Sequence, residues 1–442
     1  MRGPALVAVA TALALATPGH GGGPVATAVS SAPPDHGGDP VATAVFLAPP
    51  DHGGDPVAAV GLAALSPDSE IALTLTARAE GERYTLNGAT PGPEIHVERG
   101  RPLRVTLVNE SVPEAVGLHW HGVRMPNADE GVAVGMGERH VYRLRLPDEG
   151  TYWYHGHSAT RRGLFGALVV GASEADVDEV LAVHTYDGKR TINGLPGVSS
   201  LTGIAGPSPA PGAVARVRVI NTDVGPIRVW VSGAPYRVVA VDGHAVYRPS
   251  DISGKSISVA SGGRVDLSFA GAARVDVGGG AAAVWGSVPA APQPASVQDL
   301  LSYGTPVAPE FDPARAARHF DYRIGRRIGF LDGRPGLWWS VNGKLRPRAP
   351  AYRARRGDVV RMTISNTTGE AHPMHLHGHH ALVLGRDGVA ASGSPWWIDS
   401  LTVGGGETYE IAFVASEPGD WTVHCHDPEH EAGGLRASIG VR

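Results

Sequence analysis

Ten of the chain's twenty histidines gather in four short clusters: His119 and His121; His155 and His157; His372, His375 and His377; and His424, His426 and His430. The single cysteine, Cys425, lies inside the last. Side chains at alternate positions of a β-strand share one face, so each His-x-His is a two-toothed metal clamp. In His424-Cys425-His426 the imidazoles face one way and the thiolate the other. That pattern predicts two metal sites back to back, joined by one covalent step on either side of the cysteine. The odd offset in His372-Pro373-Met374-His375-Leu376-His377 likewise separates His372 from its two neighbours. Sorted by face, His119, His121, His155, His157, His375, His377, His424 and His426 fall on one side, and Cys425, His372 and His430 on the other. Two imidazoles and a thiolate with a weak axial group are the signature of a blue-copper electron-transfer centre. Eight imidazoles from two parts of the chain can hold several further metals. Copper suits imidazole and thiolate together, whereas zinc would suit the ligands but not the wiring. His140, His379 and His380 read as packed or solvated bystanders.

The elements that must position these residues are short strands. With 60 Gly and 36 Pro in 442 residues, the composition disfavours long helices and suits strands joined by turns. Asn-Gly recurs at 87–88, 193–194 and 342–343. After each comes a Gly, an alternating run and an Asn at constant separation: Gly100 to Asn109, Gly212 to Asn221, and Gly357 to Asn366. Alternation of this kind reads as a half-buried strand. The ends of the first and third units also agree, Gly150-Thr151-Tyr152-Trp153-Tyr154-His155-Gly156-His157 matching Gly419-Asp420-Trp421-Thr422-Val423-His424-Cys425-His426 in spacing. Three all-β sandwich or barrel domains are expected, over 68–174, 175–305 and 306–442. The middle unit carries only His184 and His244, so the histidine chemistry belongs to the outer two.

Residues 1–19 read as a signal peptide, with Arg2 followed by an apolar run from Ala5 to Ala16 that is too short to span a bilayer. Residues 20–67 repeat His-Gly-Gly and Pro-Val-Ala and read as a flexible linker. The expected location is secreted, periplasmic or cell-envelope, with no membrane span in the mature chain. A formal charge of −5 leaves no basic excess for a nucleic-acid backbone. One cysteine excludes an intrachain disulfide and any Cys-rich zinc or iron–sulfur site.

From about Leu65 to Arg442 the chain resembles the multicopper oxidases, in particular three-domain laccase-like enzymes. The motifs that carry the resemblance are His119-Trp120-His121-Gly122, His155-Gly156-His157, His372-Pro373-Met374-His375-Leu376-His377-Gly378, and His424-Cys425-His426 through His430 to Leu435. The resemblance implies three cupredoxin-like domains with a trinuclear cluster between the first and third. It further implies four coppers: type 1 on His372, Cys425 and His430; type 2 on His119 and His375; and a type 3 pair on His121, His155, His157, His377, His424 and His426. The implied activity is one-electron oxidation of phenolic or aromatic amine substrates coupled to four-electron reduction of O2 to water.

Leu435 stands at the axial position where some relatives carry Met. Because leucine cannot coordinate, a raised type 1 potential is expected. Glu431 and Glu130 are expected to relay protons. Asp399, after Trp396 and Trp397, is expected to hold a loop near the type 1 site or to cap a turn. Within the class, the alternative is a metallo-oxidase acting on Cu(I) or Fe(II). The five methionines, at 1, 125, 136, 362 and 374, form no thioether cluster, which favours organic substrates. A non-catalytic cupredoxin carrier or scaffold is a further alternative, and the complete ligand set argues against it.

Overall fold

The computed structural model describes residues 42–43, 69–127, 131–157, 159–199 and 212–442. The signal-peptide reading, nearly all of the linker and Glu130 lie outside the described residues; of the linker only Ala42–Thr43 are described, paired parallel to Ile71–Ala72.

Three two-sheet sandwiches follow one another along the chain, and the single α-helix among the described residues is Pro428–Ala432. Each sandwich encloses its own core, built around Trp120 and Tyr154 in the first, Trp285 in the second and Trp421 in the third. A fourth cluster, including Trp153, Phe165 and Ile220, closes the seam between the first two sandwiches.

The sequence repeat has a physical basis. Ile71–Glu80, Val177–Tyr186 and Arg318–Leu331 each pair parallel with the alternating strand that ends in Asn109, Asn221 or Asn366. Each of these asparagines is buried, and its amide donates to three backbone carbonyls, such as Val112, Glu114 and Val134 for Asn109. One amide thereby satisfies carbonyls that the strand end leaves without a ladder partner. The Asn-Gly pairs are left-handed at both residues, as the tight hairpin turn requires: φ is 55° and 81° at Asn87 and Gly88. The turn asparagines also repeat one contact, each side-chain oxygen accepting from a neighbouring backbone N–H at Thr76, Ala182 or Arg323.

Strand register then sets the site. In the first sandwich Leu118–His121 pairs antiparallel with Gly150–Gly156, placing His119 opposite His155. In the third, His372–Leu376 pairs with Gly419–Cys425, placing His375 opposite His424 and Met374 opposite Cys425.

Candidate metal centre

All eleven candidate ligands gather in four compact groups. Cys425, His372 and His430 form one, with Cys425 Sγ 3.6 Å from His430 Nδ1 and 3.9 Å from His372 Nδ1. The two imidazole nitrogens are themselves 3.1 Å apart. Burial pushes the Cys425 thiol up, so a thiolate exists there only with a cation beside it. The other three groups share one chamber where the first and third sandwiches meet: His119, His121 and His375; His121, His155 and His426; and His157, His377 and His424. Strand pleating separates the neighbours as the alternation predicts, Cys425 to one side and His424 and His426 to the other.

The outer hydrogen bonds decide which nitrogen of each ring faces inward. His121 Nε2 lies 3.1 Å from a carboxylate oxygen of Asp399, which accepts only, so Nε2 carries the proton and Nδ1 is left as a lone pair. That Nδ1 is buried without a partner among the described residues. His375 Nδ1 donates to the Asp399 carbonyl at 2.9 Å and so turns a lone pair at Nε2 towards His119 Nε2, 3.2 Å away. His424 Nδ1 donates to the Cys425 carbonyl at 3.0 Å, and its Nε2 lies 3.0 Å from His377 Nε2. Thr160 and Ser261 hydroxyls hold the Nδ1 atoms of His155 and His426, whose buried Nε2 atoms have no partner among the described residues. Burial holds the His121 imidazole down to about 3 and keeps His155, His375 and His426 well below the usual histidine range. Neutral imidazoles with converging lone pairs are what a soft, divalent-type metal needs, and fixed outer hydrogen bonds are how proteins orient such ligands. The donor set fits copper.

Asp399 requires a correction. It neither holds a loop near the Cys425 group nor simply caps a turn: it sits beside His121, with His380 Nε2 3.4 Å from its second oxygen. The reason is register. Ser400–Val403 runs antiparallel to His372–Leu376 with His375 opposite Ser400 and His372 opposite Val403, which carries Asp399 to the far end. There it meets Arg264 of the middle sandwich in a forked pair of 2.7 and 2.6 Å. Burial alone would raise the Asp399 carboxyl, but the guanidinium and His121 outweigh it and hold the group ionised. Arg264 also donates to the Thr151 carbonyl of the first sandwich at 3.0 Å. One guanidinium thus ties together three domains behind a ligand histidine.

Gly262, in the turn just before Arg264, packs against the His121 ring. A Cβ there would come within 2.6 Å of the ring, and φ of +79° suits only glycine. Sequence reasoning missed Arg264, Ser261 and Gly262 because the middle unit lacks ligands. The visible trace was a pair of charges, Arg264 and Asp266, in the otherwise uncharged strand Arg264–Ala270.

Glu431 lies on the helix that follows Cys425, its carboxylate 3.3 Å from His424 Nδ1 and 3.5 Å from Arg436. Burial would raise this carboxyl, yet the adjoining His424 ring with its N–H, and the Arg436 guanidinium, outweigh it and hold it low. A cleft lined by His155, His157, Thr160, Asp223 and Glu431 leads from the surface to the chamber. The bystander reading suits His379, which is buried and held by the His377 carbonyl, whereas His380 contacts Asp399. Trp396 packs against the third core and Trp397 stacks on His244.

Models of multicopper oxidase domains match residues 70–175 and 322–442, the two units that supply the ligands. Multicopper oxidase MmcO of Mycobacterium tuberculosis is 25% identical over 435 residues, covering 80% of this chain and 82% of that protein. Laccase-1 of Fomitopsis schrenkii is also 25% identical, covering 79% and 81%. A solved multi-copper oxidase from Pseudomonas thermotolerans superposes with a TM-score of 0.68 at 26% identity, over 85% of this chain and 100% of the other. Similarity along most of the chain, together with donor groups fit for copper where the matched domains meet, places this protein in the multicopper oxidase family, whose enzymes hold four copper ions and use O2 as oxidant.

Proposed function

We propose that the protein is a laccase-like oxidase that takes single electrons from phenolic or aromatic amine substrates and delivers four of them to O2, giving two waters. His372, Cys425 and His430 would hold the type 1 copper, His119 and His375 the type 2 copper, and His121, His155 and His426 with His157, His377 and His424 the type 3 pair. Bound there, the coppers supply one-electron redox chemistry that amino-acid side chains lack.

The observation that carries the reading is the placement of His430. Its side chain is 19% exposed, whereas His372 and Cys425 are fully buried, so a reductant reaches the group at the His430 edge. No thioether lies beside that edge to receive Cu(I): Met125, Met362 and Met374 are buried in cores, and exposed Met136 stands by itself among the described residues. From there Cys425 and its two peptide neighbours form an unbroken covalent path to His424 and His426.

At the O2 side, Glu431 is placed to pass protons from the cleft while orienting His424 through Nδ1. A Glu431→Gln variant keeps the hydrogen-bonding shape without the charge. It is expected to slow O2 consumption about 100-fold or more while the blue absorption stays unchanged. Loss of the blue colour would mark Glu431 as structural instead.

Leu435 is fully buried, and its carbonyl accepts from the Cys425 N–H at 3.0 Å. A Leu435→Met variant adds a weak sulfur donor that favours the oxidised metal, so redox titration should show a lower type 1 potential. The function itself is tested by O2 uptake of copper-loaded protein with a phenol, Fe(II) and Cu(I) in parallel. Turnover confined to the metal ions would overturn the laccase reading. Export is part of the proposal and rests on the apolar run from Ala5 to Ala16.

A further inference from the structure

Arg318–Leu331 outruns the sandwich it belongs to. Its parallel neighbour Val359–Asn366 pairs only with residues 318–324. Beyond that point the strand continues as a two-stranded hairpin with Arg334–Val341, and the register sets Arg326 opposite Trp339. Opposed side chains on one face of such a pair meet, and here a guanidinium lies over an indole, with Arg326 Cζ 4.1 Å from the ring centre.

The same indole packs against both imidazoles of the Cys425 group. Its ring centre is 4.5 Å from that of His372 and 4.6 Å from that of His430. Trp339 is buried, and its backbone N–H donates at 3.0 Å to the carbonyl of Gly433, just past the helix that bears His430. A Cβ at Gly433 would come within 2.9 Å of the indole, so glycine lets the helix end close on it. A positive charge is thereby held one aromatic ring away from two candidate ligands.

A negative charge stands beside it. Glu370 accepts from Arg326 at 2.7 Å through one carboxylate oxygen, and its other oxygen lies 3.7 Å from His430 Nε2. The strand-end Asn366 fixes this loop, donating to the Glu370 carbonyl at 2.6 Å. His372 and His430 turn Nδ1 towards Cys425, so Nε2 of each faces outward and carries the proton. The two outer nitrogens meet different partners. His372 Nε2 donates at 3.2 Å to the Thr368 hydroxyl, a neutral group whose own proton goes to Asn366. His430 Nε2 instead faces charge, from Glu370 and, at 3.9 Å, from Asp427. Asp427 caps the helix through the Glu429 and His430 N–H groups, whereas the Glu370 carboxylate accepts from no backbone group among the described residues.

We propose that Arg326 and Glu370 are a balanced pair that tunes the potential of the type 1 site, Arg326 raising it through Trp339 and Glu370 lowering it at His430. The proposal rests on the reading of His372, Cys425 and His430 as type 1 ligands. An oxidised site carries one more positive charge than a reduced one, so a nearby cation favours reduction and a nearby carboxylate opposes it. The two side chains are 40% and 53% exposed, so water screens each charge and keeps the effect modest. The pair thereby helps decide which reductants can feed the centre.

Redox titration of the blue band in the copper-loaded full chain tests this. Arg326→Gln leaves the Glu370 charge unopposed and is expected to favour the oxidised form about 3- to 10-fold, which is a potential lower by about 30–60 mV for one electron. Glu370→Gln is expected to shift it by a similar factor in the opposite direction. Arg326→Lys keeps the cation, and the double Gln variant removes both charges; each should stay within about twofold of the wild type. High salt should shrink both single shifts. Copper content and blue absorption report whether each centre is intact. Opposite signs are the signature, because loosened packing of Trp339 would not reverse between the two variants. Shifts of one sign, or none beyond about twofold, in variants that stay blue would overturn the pair while leaving the type 1 reading in place. Should Arg326→Gln lose its copper, Glu370→Gln decides by itself, and no rise in potential there overturns the proposal. A copper-loaded wild type with no blue band would remove the type 1 reading and the role of the pair with it.

Discussion

Replacing Cys425 by Ser is expected to abolish the intense blue absorption of the copper-loaded protein and to stop oxidation of organic reductants, with about one copper ion per chain lost. Thiolate sulfur is the soft donor in the group, and its two partners are imidazoles 3.6 and 3.9 Å from it. A serine hydroxyl fills nearly the same volume but stays protonated and binds copper weakly, so the fold survives while the centre does not. His121, His155, His375, His424 and His426 keep their outer hydrogen bonds, none of which involves the Cys425 side chain. Copper on that side should therefore remain, visible as near-ultraviolet absorption and by metal analysis. Persistence of the blue colour in the serine variant would show that the ligand set is wrong. Loss of all copper would show that the two sites are not separable, against the pleated geometry that sends Cys425 and its neighbours to opposite faces.

The second large effect is expected from the domain without ligands. Arg264→Met removes a fully buried guanidinium and leaves the Asp399 carboxylate buried without its forked partner. Removing one member of a buried ion pair costs about 3–5 kcal/mol, and a drop in thermal midpoint on the order of 10 °C is expected. Asp399 is then less fixed against His121 Nε2, and loss of such an outer partner weakens metal binding about 10- to 100-fold. Arg264→Lys restores the charge without the fork and should recover part of the stability but less of the copper affinity. Differential scanning calorimetry and copper titration measure the two consequences separately. A midpoint drop with unchanged copper affinity would reduce Arg264 to a structural tie between domains. The Thr151 carbonyl contact gives it that tie in any case, and the variant also strips a cation from Asp242, 3.5 Å from Arg264, whose carboxyl is already pushed up by burial and by the neighbouring Asp399 charge.

Much of this architecture was legible in the chain because strands write a two-residue period. His424-Cys425-His426 sends sulfur and imidazoles to opposite faces, as the pleat requires, but the two-toothed clamp holds only for His119 and His121. His155 and His157, His375 and His377, and His424 and His426 each divide between two donor groups, because the second histidine lies just past its strand end. The repeated Asn-Gly turns and strand-end asparagines are equally local: φ values near 50° and three waiting carbonyls demand those residues wherever the motif occurs.

Contacts between domains were not legible, since no local period encodes which strand ends meet across a seam. Asp399 was assigned to the wrong site for that reason: its place depends on the register of Ser400–Val403 against His372–Leu376, and its partner comes from 135 residues away. The hairpin beyond Ile324 shows the limit from the other side. Its alternation reads as ordinary core, and only the length of the neighbouring strand leaves Ile328 and Phe330 in solvent. The sequence by itself determined the donor types, their faces and the three β units. Tertiary structure decided which nitrogen of each histidine turns inward, which arginine steadies them, and which apolar face remains open, because each depends on partners distant in the chain.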